Sequence, residues 1–298
     1  MVSGSFGQPT AARTPQIDAC WLALRAPADN TARAMTAGTL LPPLVEYLAA
    51  AGVGESGVEV IDLGSGTGAN QRWLAPRLPF RQHWLLIDQD QALQRHGSVA
   101  PGTRVLTADV GILRSVVHRL GSPQLVTCSA LLDLLTTDQL KAIGSTLAAA
   151  RQPALFSLSV TGSMELSPPH PLDAHLCRAF NDHQRRHGRA GPDAVTILTR
   201  ALQPTGGILR TTETPWLLDR HNDGEFVRQF LTDRVVAAIA QEPMLNSTGA
   251  AWLALRLAQL AEHTLEISVG HRDMLILPGN IPGDAPAGRR SPTANSRP

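Results

Sequence analysis

Short apolar runs alternate with segments of helical periodicity through the first half of the chain. The runs have the length of strands and lie at residues 58–63, 84–87, 103–107, 125–128 and 154–160. They start about 20 to 30 residues apart, the spacing of strand–helix units joined by right-handed crossovers. This pattern predicts an α/β fold with a doubly wound, mostly parallel sheet covered by helices on both faces.

Beyond residue 160 the pattern is mainly helical. A proline-rich turn leads out of the fifth strand, and a helical segment at 17–51 precedes the first one. An Asn222–Glu225 capping box marks the start of one later helix. The remaining predicted elements are helices at 173–187, 191–206, 222–241 and 249–263, a sixth strand at 208–216, and a last strand or strand pair at 265–277.

The composition is that of a globular protein without a membrane span. Of 298 residues, 43% are hydrophobic and 17% are charged, and no apolar run approaches the ~18 residues that cross a bilayer. The first residues lack the apolar core of a secretory signal, so a cytoplasmic location is expected. Residues 1–15 and 280–298 have little to bury and are predicted to be disordered. A single domain is expected over 16–279, divided into 16–51, 52–160 and 161–279.

Residue usage excludes several classes of chemistry. Lys141 is the only lysine, and no phosphate-binding loop surrounds it. Tyr47 is the only tyrosine, and it lacks the partner lysine of short-chain dehydrogenases. A net charge of +1 with few aromatic residues predicts no nucleic-acid surface. Three distant cysteines predict neither disulfides nor a metal site. Small-molecule chemistry is the remaining default.

The sequence VEVIDLGSGTGAN is the most specific feature. A β-branched strand ends at Asp62 and runs into Gly64, Gly66 and Gly68, after which a helix begins. Such a loop lets backbone N–H groups approach a ligand closely, although an ordinary strand–turn–helix or a dinucleotide site fits the same pattern. Asp62 argues against the dinucleotide, because a carboxylate repels a pyrophosphate and attracts an ammonium group.

These residues resemble motif I of the class I S-adenosylmethionine-dependent methyltransferases. The resemblance implies a seven-stranded Rossmann-like sheet with an antiparallel last strand, and S-adenosyl-L-methionine as the cofactor. Asp88, with Gln89, matches the ribose-binding acid of the family, and Asp109, with Val110, matches the acid near the adenine. The implied cofactor residues are Asp62, Gly64, Ser65, Gly66, Gly68, Asp88, Gln89, Asp109, Val110, Cys128, Ser129, Arg33 and Arg25. The last two would pair with the methionine carboxylate from a helical lid at 16–51.

The fourth strand departs from the family pattern. Gln124 stands where an Asp is common, and Asp133 stands where a His is common. The whole chain is also similar to uncharacterised methyltransferases of high-GC bacteria, through WLALRAPADNTAR, AFNDHQRR and VGHRDMLILP, a likeness that implies no substrate.

A polar segment after the fifth strand supplies candidates for the acceptor side. His183 shares a predicted helix face with Leu176 and Phe180, Glu165 follows the strand, and Asp133 follows the fourth strand. These three are the catalytic candidates, with a structural histidine or helix caps as the alternatives. Further substrate-contact candidates are His170, Asp173, Asn181, Gln184 and Trp216. His271 is interpreted as marking the turn of a last hairpin.

The predicted function is methyl transfer to an O- or N-nucleophile of a small molecule. A cofactor-binding partner or regulatory protein without catalysis is the alternative, because of Gln124 and Asp133. An NAD(P)-dependent oxidoreductase is the less favoured one. The helices within 222–263 either cover the substrate or form a homodimer contact, and no membrane partner is expected.

Overall fold

The computed structural model describes residues 18–54, 56–120, 124–202, 207–219, 221 and 224–279. The segments predicted to be disordered, 1–15 and 280–298, lie outside the described residues. Gly206 and Asn222 do so too, so the end predicted for the second helix and the capping box stay predictions.

The described ranges form a central sheet with helices on both sides. The strands are β1 (Val58–Leu63), β2 (Gln82–Asp88), β3 (Arg104–Thr107), β4 (Gln124–Ser129), β5 (Ala154–Ser167), β6 (Ile208–Glu213), β7 (Trp216–Leu218) and β8 (Glu266–Leu277). The helices are α1 (Ala19–Ala32), α2 (Ala34–Thr39), α3 (Leu41–Ala50), α4 (Ala69–Leu74), α5 (Gln91–His96), α6 (Leu113–Arg119), α7 (Thr137–Ala150), α8 (Asp173–Gln184), α9 (Ala194–Leu202), α10 (Gly224–Gln241) and α11 (Asn246–Ala261).

The strand order confirms the predicted doubly wound sheet. The order is β3-β2-β1-β4-β5-β8-β6, with β1 to β5 parallel and β8 antiparallel to both of its neighbours. Because the first strands wind outward in both directions from β1 and β4, their carboxyl ends meet along one edge. In open α/β sheets ligands bind at such an edge, where the strand order reverses.

The sheet has eight strands among the described residues rather than the expected seven. The predicted strand at 208–216 is two strands, β6 and β7, each paired with β8. Pro215 lies between them and has no N–H to continue a ladder, whereas Thr214 N donates to His271 O over 2.9 Å. β5 extends to Ser167, seven residues beyond the end predicted for it.

Three apolar clusters hold the fold together. On one face of the sheet, Ile61 and Leu63 of β1 pack with α6, α7 and α9. On the other face, Val58 and Val60 pack with α3 and α4, as the two-residue period of a strand requires. The third cluster lies beyond the parallel strands, where the outer halves of β5 and β8 pack with β7, α1, α8, α10 and α11.

A bulge in β5 marks the change from the sheet to the third cluster. The register with β8 shifts between Phe156 and Ser159, and Leu158 has a φ of 56°. Asp273, fully buried on β8, accepts hydrogen bonds from Leu158 N and Thr214 Oγ1 at 2.7 Å each and from Thr36 Oγ1. One carboxylate therefore joins β5, β8, the β6–β7 turn and α2.

Replacing Asp273 with Ala should strongly destabilise the fold. Three buried donors would lose their acceptor, which should cost about 3–5 kcal/mol of the free energy of unfolding. Urea unfolding of Asp273→Ala measures this loss. Asp182→Ala, which removes an exposed carboxylate, is the matched control and should cost less than about 1 kcal/mol. Equal effects of the two substitutions would contradict the role given to Asp273.

Candidate functional site

The glycine loop turns sharply at the carboxyl end of β1. Gly64 and Gly68 have φ values of +60° and +77°, which L-residues rarely adopt. A Cβ atom on Gly64 would lie 2.6 Å from Leu131 Cδ1, so the loop also packs too closely on the segment after β4 for a side chain. Ser65 N donates to Ile87 O over 3.1 Å and fixes the loop against β2. This conformation requires glycine at 64.

A buried polar cluster lies beneath the loop. Asn70 Nδ2 donates to Asp62 Oδ1 over 2.7 Å and to Thr127 Oγ1 over 3.0 Å. Arg33 Nη2 donates to Asn70 Oδ1. Asp62 Oδ2, Ser65 Oγ and Arg33 Nε are sealed from solvent and have no hydrogen-bond partner among the residues that the structure describes. The cluster thus has unmet hydrogen-bonding capacity that points to a polar ligand.

Burial controls the ionisation of this cluster. Desolvation raises the pKa of Asp62 from 3.8 to about 7, against the opposing effects of the Asn70 hydrogen bond and the Arg33 charge. Desolvation also lowers the pKa of Arg33 to about 10, although its guanidinium lies 3.8 Å from the Trp73 ring centroid. A cationic ligand at Asp62 would favour the ionised carboxylate.

Acidic side chains lie at the carboxyl ends of the first three strands, as predicted: Asp62 within β1, Asp88 as the last residue of β2 and Asp109 just after β3. Asp88 is buried, and it accepts from Gly66 N over 2.7 Å and from Asp90 N over 2.8 Å. Each oxygen of this carboxylate can accept a second bond. Asp109 is exposed after β3 and accepts from Gly111 N and Gln139 Nε2. Since β1, β2 and β3 are adjacent in the sheet, the structure brings these acids to one edge.

The other predicted cofactor residues lie along the same edge. Gln89 is exposed after β2, and Val110 is buried after β3. Cys128 and Ser129 end β4, where Cys128 pairs with Leu63. Burial raises the pKa of the Cys128 thiol well above its usual range, so this group is a neutral packing residue and not a thiolate.

The helix α1 covers the loop. A Cβ atom on Gly66 would lie 3.5 Å from Leu22 Cδ1, so α1 sits directly over the glycines. Arg25 on the same helix donates to Asp29 Oδ2 over 2.9 Å, and Trp216 Nε1 donates to Asp29 Oδ1 over 3.1 Å. Arg25 and Arg33 both reach the site region, but each is already engaged with a protein group.

A cavity of about 160 Å³ opens next to the loop. It lies between α1, β5, α8, β7, α10 and β8, and the segment after β4 separates it from Gly64. Its walls are mainly aromatic and aliphatic, with a few polar groups among them. The lining residues are Trp21, Arg25, Ala130, Asp133, Leu134, Leu158, Val160, Phe180, Gln184, Trp216, Phe230, Asp233, Arg234 and His271.

Some of the predicted acceptor-side residues line this cavity and others do not. Asp133, Gln184 and Trp216 do, and burial raises the pKa of Asp133. Glu165 is exposed on β5, outside the cavity lining. Asn181 donates to Gly162 O over 2.8 Å, at the other side of α8.

His170 and Asp173 lie at a separate place. Asp173 accepts from Arg256 Nη2 at 2.6 and 2.8 Å and from Trp252 Nε1 at 2.7 Å, so it ties α8 to α11. His170 lines a groove with Trp252. The contacts described for these two residues are structural, and both residues lie away from the glycine loop.

The helix face predicted for His183 is rotated in the structure. Phe180 lines the cavity, and the next α8 residue to do so is Gln184 rather than His183. At about 100° per residue, a residue four positions along lies nearer the starting direction than one three positions along. His183 is half-buried, and its pKa is lowered by desolvation and by Arg186, Arg189 and His187.

His271 is a cavity residue that the sequence interpretation misplaced. It does not mark a hairpin turn, because β8 is one continuous strand through it. Its Nδ1 lies 3.0 Å from Val269 O, and since a carbonyl only accepts, Nδ1 carries the proton and Nε2 keeps its lone pair. Burial, followed by the Arg25 charge, lowers its pKa to about 3. The two-residue alternation of burial through Ile267, Val269, His271 and Asp273 is the signal that would have found it.

Arg234, Asp233 and Phe230 of α10 also line the cavity without having been predicted. Their helix is separated from the glycine loop by more than 150 positions of sequence, and no local motif marks them. Within the described ranges, no group of three or more His, Cys, Asp or Glu is arranged to hold a metal ion, and no helix is long and apolar enough to cross a membrane.

Comparisons with known proteins find similarity in structure but not in sequence. No family model and no curated protein sequence matches the chain. A cyclopropane synthase from Mycobacterium tuberculosis is 12% identical, with a TM-score of 0.41 over 79% of this chain and 83% of that one. A phosphoethanolamine N-methyltransferase from Haemonchus contortus, in complex with S-adenosylhomocysteine, is 12% identical, with a TM-score of 0.38 over 78% and 52%. The YcgJ protein from Bacillus subtilis is 10% identical, with a TM-score of 0.44 over 80% and 98%.

The raised pKa of Asp62 predicts an unusual pH dependence of stability. Because the folded chain binds this proton more tightly than the unfolded chain, the associated stability is complete below about pH 4 and is lost as the pH rises through about 7. Asp62→Asn should therefore lose about 3 kcal/mol less than the wild type between pH 4 and pH 8, measured by urea unfolding. The control Asp90→Asn, at the half-buried N-cap of α5, should keep the wild-type profile. An unaltered profile in Asp62→Asn would refute the shift.

Proposed function

We propose that this chain is an S-adenosylmethionine-dependent methyltransferase that acts on an oxygen or nitrogen nucleophile of a small molecule. The observation that carries the proposal is the set of acids at the ends of three adjacent strands around a glycine turn. At this place Asp62 Oδ2, from one of the acids, and Ser65 Oγ, from the glycine turn, are buried without hydrogen-bond partners among the described residues. A cavity with mainly apolar walls adjoins it.

The residues present fit this cofactor group by group. Asp62 is buried and short of one partner, as expected of an acceptor for an ammonium group. Asp88 has acceptor capacity left for two ribose hydroxyls. Asp109, with Val110 beside it, suits an adenine edge. Arg33 Nε is a buried donor without an acceptor and suits a carboxylate. When bound, S-adenosylmethionine would supply a methyl group on a positively charged sulfur.

The cavity residues would orient the acceptor and exclude water. Trp21, Trp216, Phe180 and Phe230 give it apolar walls, which favour close approach of a nucleophile in a dry site. Among the predicted catalytic candidates, only Asp133 lines this cavity. His271 also lines it, and its Nε2 lone pair, held in place by the bond from Nδ1, is a candidate for accepting a hydrogen bond from the nucleophile.

Two observations bear on the alternatives. Gln124 lies at the amino end of β4, opposite the glycine loop, and its amide donates to Val117 O and Leu120 O. The position at which Gln124 replaces the Asp of the family pattern therefore lies away from the site. It gives little support to the alternative that the protein binds the cofactor without catalysing a reaction. Asp62 beneath the loop continues to disfavour the pyrophosphate of a dinucleotide.

The lining of the cavity also bears on the helices of 222–263. α10 contributes Phe230, Asp233 and Arg234 to it, which supports a role as a cover over the acceptor. α11 packs against α10, and none of its residues is among those that line the cavity.

Binding of the demethylated cofactor tests the proposal directly. Isothermal titration with S-adenosylhomocysteine should show affinity in the micromolar range, and Asp88→Ala should weaken it by about 10- to 100-fold through lost charged hydrogen bonds. Asp88→Asn keeps an acceptor for Gly66 N–H and should show a loss without loop distortion. Asp90→Ala, two residues away, is the control and should bind normally. A wild-type protein that binds NADH but neither cofactor form would overturn the proposal.

The role of His271 is tested with an acceptor found in a methyl-transfer screen of phenols, sugars, amines and carboxylates. His271→Asn keeps a donor near Val269 O but removes Nε2, and it should lower kcat by about 10²-fold with little change in cofactor affinity. His271→Gln should lose less, because its amide can reach the Nε2 position.

The pH dependence separates His271 from His183. Since the pKa of His271 is lowered to about 3, the ring is neutral throughout pH 5–8, and kcat should show no histidine limb in that range. A limb near pH 6.5 that disappears in His183→Ala would assign the base role to His183 instead.

A further inference from the structure

Arg234 lies in the cavity wall without a counter-ion. No hydrogen bond or ion pair within 4.0 Å joins its side chain to any other residue that the structure describes, and its Nε is sealed from solvent. The guanidinium lies 4.1 Å from the Phe180 ring centroid and 4.5 Å from that of Phe230. Aromatic rings stabilise a cation but accept no strong hydrogen bond, so the buried Nε donor of Arg234 stays unmet.

The ionisable groups around Arg234 do not neutralise it. Cys177 interacts with it electrostatically, but burial raises the pKa of that thiol, which stays neutral. Asp133 interacts with Arg25 and Arg189, and Asp233 bonds to Gln229. Burial raises the pKa of both carboxyls.

Arg234 is half-buried with its Nε sealed from solvent, and desolvation lowers its pKa to about 10. A desolvated charge without a counter-ion costs stability. A second polar group next to it is also unmet, since Gln184 Oε1 is buried without a partner. Gln184 and Arg234 line the same cavity from α8 and α10. Such an arrangement is costly as structure and is typical of a site awaiting a ligand.

We propose that Arg234 binds an anionic oxygen group, a carboxylate or a phosphate, on a methyl acceptor whose apolar, flat body packs against Trp21, Trp216 and Phe180. The planar guanidinium suits both anions through paired hydrogen bonds, and Gln184 is placed to take a neighbouring polar group. This inference deepens the proposed function, on which its reference to an acceptor rests. The binding of an anion in this cavity can be tested by itself.

Benzoate and phenyl phosphate are suitable probes, with benzamide and benzyl alcohol as their neutral counterparts. Trp21 and Trp216 line the cavity, so quenching of tryptophan fluorescence reports binding without any turnover. Each probe is titrated with and without saturating S-adenosylhomocysteine. At least one anion should bind saturably below about 10 mM, with at least tenfold preference over its neutral counterpart. Preference between the two anions distinguishes a carboxylate from a phosphate acceptor.

Substitutions of Arg234 distinguish a role in anion recognition from a role in folding stability. Arg234→Met should lower anion affinity by at least tenfold, yet raise the melting temperature, because it removes an unpaired buried charge while keeping apolar volume. Arg234→Lys keeps the charge without the fork and should bind the anions more weakly than the wild type but better than Arg234→Met. Arg228→Gln, on the exposed face of the same helix, is the matched control and should bind as the wild type does.

The outcomes distinguish this inference from the proposed function. Equal binding of benzoate and benzamide, no binding of either anion, or unchanged anion binding in Arg234→Met would overturn the inference, even where S-adenosylhomocysteine binds well. Anion binding that requires Arg234 in a protein without affinity for S-adenosylhomocysteine or S-adenosylmethionine would support an anion site while refuting the methyltransferase.

Discussion

The carboxylate of Asp273 is the interaction on which the second half of this structure depends. A strand pair as long as β5–β8 would keep the packing of the central sheet, with helices on both faces, along its whole length unless its register changed. The bulge at Leu158 makes that change, and it leaves a backbone N–H in the interior that must be satisfied. Asp273 accepts this N–H together with the hydroxyls of Thr36 and Thr214. The same carboxylate thereby sets the bulge, the β6–β7 turn and the docking of α2.

The cavity is a consequence of that bulge. Leu158 lies in the bulge and Val160 follows it on β5, and His271 lies two positions from Asp273 on β8. Beyond this point the strands leave the two-faced sheet and join the third apolar cluster, which α8 and α10 cover. The space between the sheet edge and these helices is the cavity. The cavity lies beside the glycine loop because α1 extends over both of them. Leu22 of this helix lies over Gly66, and Arg25 lies in the cavity wall.

Local sequence signals predicted the part of this architecture around the glycine loop well. Apolar runs and the glycine turn are short-range features, so the strands, the turn and the acids at the strand ends lie in the structure as expected. The part around the cavity depends on contacts between distant elements. A shift of one position on α8 exchanges His183 for Gln184, and such a rotation is set by packing against α10 and not by the sequence of α8 itself. Arg234 carries no local signal, because an arginine on a helix is usually exposed.

The two halves of the cleft differ in the charge that they leave unmet. Near the glycine loop, the group short of a partner is the carboxylate of Asp62, whereas in the cavity it is the guanidinium of Arg234. Neighbouring groups offset only part of the cost: Asn70 and the Arg33 charge do so for Asp62, and two aromatic rings do so for Arg234. Under the proposed function, the pocket at Asp62 would favour a cationic group and the pocket at Arg234 an anionic one. Opposite preferences of this kind would keep two dissimilar ligands from binding in each other's place.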